Sequence, residues 1–316
     1  MNEDHSSRDW PSDPHMREVL QGLLDADVPQ IYASGVNELR DRIREMRKNL
    51  PPGPEVETVT SFVVPTAWGG VPVRSYASEG SGGGVIVYIH GGGWVIGGID
   101  ESDGLCRYLA RESGHEVISV GYRLAPEHRF PAAIDDADAV VSWVSRVYAK
   151  GRPLALVGDS AGANLVIGAA RRARDRGNEP IDLQVLVYPV TDHRMDTESY
   201  RRFDVDGLLM VSADMRWFWD HYIPDAEDRA TPDASPALIA DLAGLPPAVL
   251  ITVGFDPLRD EGVAFAERLA AAGVPVTTRE YPQMIHGFLS MFARVPDAAD
   301  AMKLIVAELT RALRAS

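Results

Sequence analysis

The chain has 316 residues, of which 45% are hydrophobic and 24% are charged, so it is long and apolar enough to bury a large core. Its formal net charge of -15 at pH 7 argues against binding to nucleic-acid phosphates and to anionic membrane surfaces. The single cysteine, Cys106, excludes an intrachain disulfide and is expected to be a small buried residue.

The N-terminal residues are polar and acidic, and they lack the basic and apolar regions of a signal peptide. No apolar run approaches the roughly 18 residues of a transmembrane helix. We therefore expect a soluble, cytoplasmic protein with no membrane partner.

The first part of the chain predicts two helices followed by two strands. Residues 16–50 place apolar side chains at helical spacing, before a proline-rich stretch that begins at Pro51. Residues 56–78 alternate between apolar and polar side chains, with a turn at Gly69 and Gly70. We expect these two strands to form an antiparallel edge of a larger sheet.

Strands and helices alternate through most of the remaining chain. The predicted strands span residues 84–90, 116–123, 154–158, 183–189, 248–255 and 275–282. The predicted helices span residues 102–113, 130–151, 163–177, 263–273 and 296–316. This alternation is typical of a mostly parallel sheet covered by helices. We therefore predict a single α/β domain over residues 1–316.

Residues 192–236 interrupt this alternation because they contain no strand pattern. They include a predicted helix, residues 213–223, whose aromatic side chains are Trp217, Phe218, Trp219 and Tyr222. We interpret the segment as an insertion between two strands. Its aromatic side chains either line a pocket or pack the insertion on the core.

The stretch LALVGDSAGANL, residues 154–165, runs from a predicted buried strand into a helix and places Ser160 between Gly158 and Gly162. This is the G-x-S-x-G pattern of a nucleophile elbow, in which small neighbours let the strand and the helix approach closely. The helix N-terminus also brings backbone N–H groups beside the serine. A glycine-rich turn without chemistry fits the same short pattern, so catalysis needs further support from a base and an acid.

A serine nucleophile needs a base, and the chain order expected for this turn is serine, acid, histidine. Three histidines follow Ser160 in the sequence: His193, His221 and His286. His286 follows the last predicted strand, where the base is expected. His193 precedes the next strand and its acids, and His221 lies within the aromatic helix.

The acid is expected to follow a strand between Ser160 and His286. Asp256 comes directly after the predicted strand 248–255. Asp260 is the rival, but it lies one helical turn later and is expected to cap or flank the following helix. We therefore prefer Asp256.

A second glycine-rich stretch, His90-Gly91-Gly92-Gly93, follows the strand 84–90. Its backbone N–H groups are unobstructed by side chains, which suits an oxyanion hole. A dinucleotide-binding loop is the alternative interpretation, since the glycines loosely match its spacing. That alternative is disfavoured because the next strand ends in Arg123 instead of an acid.

No metal site is predicted, because neither His90 nor His286 has a histidine or carboxylate neighbour at zinc spacing. We also expect no cofactor.

The motifs HGGGW, GDSAG, YRLAPEHRFPAAIDD, DPLRDEG and HGF occur in this order and resemble those of the hormone-sensitive-lipase-like family of bacterial esterases. The resemblance extends from about Val56 to the C-terminus. It implies an α/β-hydrolase fold with a helical cap, built from about residues 1–50 and about residues 192–236. Two positions depart from the family pattern: Ala163 stands where many relatives have a second glycine, and Gly254 stands where relatives often have a glutamate.

The resemblance also implies roles for individual residues. Ser160 would be the nucleophile, His286 the base and Asp256 the acid. The oxyanion donors would be the backbone N–H groups of Gly92, Gly93 and Ala161. Three further residues, His90, Glu127 and Asp135, would support the loops without reacting.

The function implied is hydrolysis of short- to medium-chain acyl esters through an acyl-enzyme, with a small-molecule ester as substrate. We expect the substrate pocket to include Trp94, Trp217, Phe218 and Tyr222. Related amides, thioesters and carbamates remain open as substrates, and a homodimer is compatible with the resemblance. A non-catalytic receptor on the same fold is disfavoured, because the related plant gibberellin receptor lacks the histidine that is present here as His286.

Overall fold

The computed structural model describes residues 10–48, 52–81, 83–177, 180–204 and 207–314. At its centre lies an eight-stranded sheet with the strand order β1-β2-β4-β3-β5-β6-β7-β8. The strands are β1 (Thr58–Val64), β2 (Val71–Ala77), β3 (Val85–Ile89), β4 (Glu116–Val120), β5 (Leu154–Asp159), β6 (Leu183–Val187), β7 (Ala248–Phe255) and β8 (Val276–Ile285). Strands β3 to β8 are parallel to one another, which confirms the predicted α/β class.

The α-helices follow the predicted order, apart from the short helix α6, which was not predicted. They are α1 (Pro14–Asp25), α2 (Val36–Lys48), α3 (Asp103–Ser113), α4 (Ala132–Trp143), α5 (Ala161–Arg176), α6 (Glu198–Arg202), α7 (Ser212–Tyr222), α8 (Arg259–Ala271) and α9 (Pro296–Ala312). The predicted helix 130–151 is shorter than expected, because α4 gives way to a π-helical turn at residues 144–148.

Both faces of the sheet are buried, and β3 shows how. Val85, Val87 and Ile89 point into one core cluster, which also contains side chains of α4, α5 and α8. Ile86 and Tyr88 point into a second cluster, which contains side chains of α3 and α9. Because successive strand residues face opposite sides, a continuous apolar strand needs helices on both faces.

The edge of the sheet is antiparallel, as predicted. Strand β1 pairs antiparallel with β2, and β2 pairs antiparallel with β4. The pairing of Val64 with Val71 places Gly69 and Gly70 in the turn between the strands.

Packing against β8 explains why glycine stands at position 254. The register between β7 and β8 shifts between Val253 and Phe255. A Cβ atom on Gly254 would lie 2.0 Å from the carbonyl oxygen of Pro282. The backbone of β8 therefore occupies the space that a glutamate side chain would need. Strand β8 itself extends beyond its predicted end at residue 282, to Ile285.

The N-terminal helices and the insertion pack together. The Tyr32 backbone N–H, between α1 and α2, donates to Asp214 Oδ1 on α7 at 2.9 Å. The described residues between 192 and 236 form helices and turns and no strand, as predicted. Residues 1–9, 49–50 and 205–206 of the predicted cap lie outside the described residues.

The turn from β5 into α5 packs closely against the neighbouring strand β3 at the carboxyl edge of the sheet. Ser160 has a φ of 54°, in the left-handed region, and its N–H donates to Val187 O at 2.8 Å. A Cβ atom on Gly162 would lie 2.0 Å from Ile89 O. Glycine at position 162 thus lets α5 begin against the end of β3.

We expect Gly162→Ala to destabilise the protein by at least ~1–3 kcal/mol, because backbone atoms of β3 cannot move aside as a side chain could. Gly22→Ala on the exposed face of α1 is the matched control, since its Cβ meets nothing within 4 Å. It should raise stability by ~0.5–1 kcal/mol, as alanine costs less entropy in a helix. Urea unfolding of both variants measures the difference, and equal stabilities would contradict this packing account.

Candidate active site

Three predicted residues meet at the carboxyl edge of the sheet. His286 Nε2 lies 2.9 Å from Ser160 Oγ, and His286 Nδ1 lies 2.8 Å from Asp256 Oδ2. Asp256 is fully buried, and the two other side chains are almost so. Ser160 comes from the β5–α5 turn, Asp256 follows β7 and His286 follows β8. A hydroxyl, an imidazole and a carboxylate therefore form one continuous chain of hydrogen bonds.

The carboxylate of Asp256 is held in place from its other oxygen. Its Oδ1 accepts the backbone N–H of Leu258 at 2.9 Å, which leaves Oδ2 for His286. The rival, Asp260, serves another purpose: its Oδ2 accepts the N–H of Ser199 at 2.8 Å, in the first turn of α6. Asp260 therefore stabilises a helix start and makes no contact with His286.

The other two histidines after Ser160 lie elsewhere. His193 Nδ1 is 2.9 Å from Ser235 Oγ, and His221 Nδ1 is 2.8 Å from the carbonyl oxygen of Trp217. Both rings are occupied by interactions within the insertion and make no contact with Ser160.

The glycine loop after β3 folds back on itself. The N–H groups of Val95 and Ile96 donate to Gly92 O at 3.0 and 2.9 Å. Gly92 and Gly93 have φ values of 108° and 56°, which glycine adopts without strain. There is also no room for a side chain at position 93, since a Cβ atom on Gly93 would lie 2.1 Å from the ring of Phe218. The turn leaves the N–H groups of Gly92 and Gly93 without a hydrogen bond inside the described ranges.

His90 supports this loop from behind. Its Nδ1 lies 2.7 Å from Gly91 O, and its ring stacks on Tyr122 with centroids 4.2 Å apart. Burial lowers the pKa of His90 to about 4. The ring is therefore neutral near pH 7 and acts as a hydrogen-bonding support.

Asp159 links the glycine loop to the serine turn, and motif spacing alone did not single it out. Its Oδ1 accepts the hydroxyl of Tyr88 at 2.6 Å and the N–H of Gly91 at 3.0 Å. Burial raises the pKa of the Asp159 carboxyl. The aspartate in GDSAG is the only sequence signal for this link, and its partners become visible only when β3 and β5 are adjacent.

Tyr188 is a second residue that the sequence did not reveal. It follows β6 with a φ of 37°, and its N–H donates to Ile251 O at 2.7 Å. Its ring packs against the imidazole of His286, with centroids 4.4 Å apart. Tyr188 therefore restricts the orientation of that imidazole.

An apolar cavity of about 280 Å³ opens above Ser160 and His286. It is bounded by α1 and α2, the insertion and the glycine loop. Its apolar lining includes Leu23, Leu24, Ile31, Leu39, Ile43, Ile96, Leu208, Met210 and Phe218. The cavity thus draws on the N-terminal helices, which contribute none of the predicted pocket residues.

Of the four aromatic residues predicted for the pocket, only Phe218 lines this cavity. Trp94 and Tyr222 are fully buried and stack on each other with centroids 4.4 Å apart, so the prediction for them is corrected. Trp217 packs on the His221 ring at 4.1 Å and also lies off the cavity. Phe218 and Tyr222 lie one turn apart on the same face of α7. Their contacts differ, because Phe218 lies against Gly93 in the glycine loop and Tyr222 stacks on Trp94 in the core.

Within the part of the chain that the structure describes, no group of three or more histidine, cysteine, aspartate or glutamate residues could hold a metal ion. None of the helices in these ranges has the length and apolar character needed to cross a membrane.

We expect the free energy of unfolding to fall as the pH falls from 6.5 towards about 4, and His90 to cause up to about 3 kcal/mol of this loss. Between these pH values, His90 is protonated in the unfolded chain and stays neutral in the folded protein, where its ring is buried. His90→Asn cannot titrate, so its stability should depend less on pH. Urea unfolding at several pH values compares the two slopes, and identical slopes would refute the assignment.

Comparison with known proteins identifies the family to which the chain belongs. A family model described as the alpha/beta hydrolase fold matches residues 86–290. The chain is 38% identical to carboxylesterase NlhH of Mycobacterium tuberculosis over 312 residues, covering 96% of this chain and 98% of the relative. It is 38% identical to the ethyl acetate hydrolase of Pseudomonas putida over 252 residues, covering 77% and 79% of the two chains.

A solved structure extends the likeness to three dimensions. The hyperthermophilic esterase from the archaeon Pyrobaculum calidifontis superposes with a TM-score of 0.89 at 36% identity, covering 95% of this chain and 98% of that chain. The motif resemblance noted in the sequence is thereby confirmed. The chain belongs to the hormone-sensitive-lipase-like esterases of the α/β-hydrolase superfamily.

Proposed function

We propose that this carboxylesterase works through an acyl-enzyme formed on Ser160, with His286 as the base and Asp256 as the orienting acid. The observation that carries the proposal is the chain of hydrogen bonds from Ser160 Oγ through the His286 ring to Asp256. This chain ends at the floor of an apolar cavity, where a substrate carbonyl can approach the hydroxyl. The same arrangement of groups acts in unrelated serine hydrolases.

In the first half of the reaction, Ser160 Oγ attacks the ester carbonyl carbon while its proton passes to His286 Nε2. The ring becomes an imidazolium, and the buried carboxylate of Asp256 stabilises that charge through Nδ1. The tetrahedral intermediate collapses when the imidazolium returns the proton to the departing alcohol. In the second half, water attacks the acyl carbon while His286 Nε2 takes its proton. The imidazolium then returns a proton to Ser160 Oγ as the bond to the acyl carbon breaks, which releases the acid.

The negative charge of each tetrahedral intermediate falls on the former carbonyl oxygen. We assign its donors as the backbone N–H groups of Gly92, Gly93 and Ala161. The first two are not otherwise hydrogen-bonded in the described ranges, and the third opens α5, where the helix dipole is positive. Fixed donors of this kind need no reorganisation as charge develops.

The cavity supports short- to medium-chain acyl esters as substrates. Its volume of about 280 Å³ is near the lower end of the ~300–1,000 Å³ that ligand sites usually enclose. Phe218 packs directly on Gly93 and narrows the space beside the proposed oxyanion donors. The relative from Pseudomonas putida is named for ethyl acetate, a small ester, which agrees with this size limit.

The helices α1 and α2 together with the insertion form the proposed cap over this cavity. The Tyr32–Asp214 hydrogen bond and the cavity lining support this division of the chain. The cytoplasmic location and a homodimer stay predictions.

We expect Ser160→Ala and Asp256→Asn each to lower kcat on p-nitrophenyl butyrate by at least about 10³-fold, because the three residues act as a unit. Asp260→Asn is the matched control and should keep most of the activity, since Asp260 serves α6. Steady-state kinetics on folded variants measures this. Undiminished activity in folded Ser160→Ala, or equal losses in the two aspartate variants, would reject the assignment.

The acyl preference is tested with p-nitrophenyl acetate, butyrate, octanoate and palmitate. The cavity volume predicts that kcat/KM peaks at a short to medium chain and falls steeply for palmitate, which is too long to be enclosed. Faster turnover of an emulsified long-chain triglyceride than of a butyrate ester would contradict this. Amide and thioester analogues in the same series show whether the site is limited to oxygen esters.

A further inference from the structure

We propose that Arg40, on the cap helix α2, is a positioning residue that strengthens the oxyanion hole. The inference rests on the proposed function, since it concerns how the donor at Gly93 is held and polarised. Arg40 lies far from the motifs in sequence and does not contact the Ser160 hydroxyl. Its effect would pass through two peptide groups of the glycine loop.

The guanidinium of Arg40 donates four hydrogen bonds from its five N–H groups. Its Nε donates to Val95 O at 2.9 Å, and Nη2 donates to Ala125 O at 2.8 Å. Nη1 and Nη2 also donate to the two oxygens of Glu127, at 2.7 and 2.9 Å. The side chain is only 15% exposed. Four hydrogen bonds thus join Arg40 to the segment after the glycine loop, at Val95, and to the loop that contains Ala125 and Glu127.

The contact with Val95 leads directly to the proposed oxyanion donor. Val95 O and Ile96 N belong to one peptide group, and that N–H donates to Gly92 O at 2.9 Å. Gly92 O in turn belongs to the same peptide group as the Gly93 N–H. Arg40 is therefore linked through hydrogen bonds to two peptide groups in series, and the N–H of the second, at Gly93, is the proposed oxyanion donor.

A hydrogen bond at a carbonyl makes the N–H of the same peptide a better donor, and each bond in such a chain strengthens the next by roughly 10–30%. A charged donor gives a stronger first bond than a neutral one. Arg40 therefore both fixes the turn and increases the positive character of the Gly93 N–H.

Glu127 keeps the guanidinium in this orientation. Hydrogen bonding from Arg40 lowers the pKa of Glu127 to about 2, so the carboxylate is charged wherever the esterase would be assayed. The planar, two-pronged contact suits arginine and cannot be reproduced by the single ammonium of lysine. The packing partner on the other side, Ala125, is itself tied to the loop, because its N–H donates to Trp94 O at 2.9 Å.

A role limited to fastening the cap would give a different result. A loosened cap weakens the binding of substrate and of the transition state alike, whereas a weakened oxyanion hole affects only the tetrahedral species. Two inhibitors separate these cases. An aryl trifluoromethyl ketone accepts Ser160 Oγ at its carbonyl carbon, with the serine proton moving to His286, and forms a tetrahedral oxyanion. The corresponding methyl ketone, with the same aryl group, binds without adding to the serine.

The experiment compares wild type, Arg40→Ala and Arg40→Lys with the control Arg44→Ala. Arg44 lies one turn further along α2, pairs with Asp41 and is 58% exposed. In Arg40→Ala we expect kcat to fall and Ki for the trifluoromethyl ketone to rise by the same factor, about 10-fold. This is less than the roughly 10²–10³-fold loss on removing a donor outright. Ki for the methyl ketone should change by less than about 3-fold, by the same differential-binding argument.

Arg40→Lys keeps a charged donor for Val95 O and should recover part of the lost kcat, and Arg44→Ala should match wild type. If Arg40→Ala does not fold, as judged by its thermal unfolding curve, Arg40→Lys and Glu127→Gln carry the same comparison with smaller effects in the same direction. Equal losses for both ketones, or an unchanged Ki for the trifluoromethyl ketone, would overturn the inference. Failure of the proposed function is distinct, because wild type itself would then show no ester hydrolysis and no ketone adduct.

Discussion

The left-handed turn at Ser160 is the constraint on which the rest of the site depends. It holds the serine between the end of β5 and the start of α5, with its N–H bonded to Val187 on β6. The turn requires glycine at position 162 because the end of β3 lies directly against it. The sheet order, which places β3 and β6 on either side of β5, therefore fixes where the hydroxyl points.

The other groups that surround this hydroxyl lie on loops that follow other strands of the same sheet. The glycine loop follows β3, and its first amide is joined to Asp159 at the end of β5. Asp256 and His286 follow β7 and β8 at the same edge of the sheet. Helices α1 and α2 and the insertion border an apolar cavity over these polar groups. Electrostatic interactions in apolar surroundings are stronger than in bulk solvent. The parallel sheet thus sets the positions of the proposed catalytic groups, and the proposed cap would set the size of the substrate.

The sequence was sufficient to predict what depends on local pattern: the order of strands and helices, the antiparallel edge and the meeting of Ser160, Asp256 and His286. It failed where the outcome depends on contacts between distant segments. Trp94 and Tyr222 are aromatic in either environment, and only the packing of α7 on the glycine loop decides that they stack in the core. Arg40 lies in an ordinary charged helix, and its carbonyl partners on two other loops have no sequence signature.

The most direct test of the central claim is to label the protein with diethyl p-nitrophenyl phosphate and map the adduct by peptide mass spectrometry. The reagent phosphorylates an activated serine and releases p-nitrophenol. The account predicts one adduct per chain, located on Ser160, formed in step with the loss of esterase activity and greatly slowed in His286→Ala. An adduct on another residue, or full activity in protein labelled at Ser160, would contradict it.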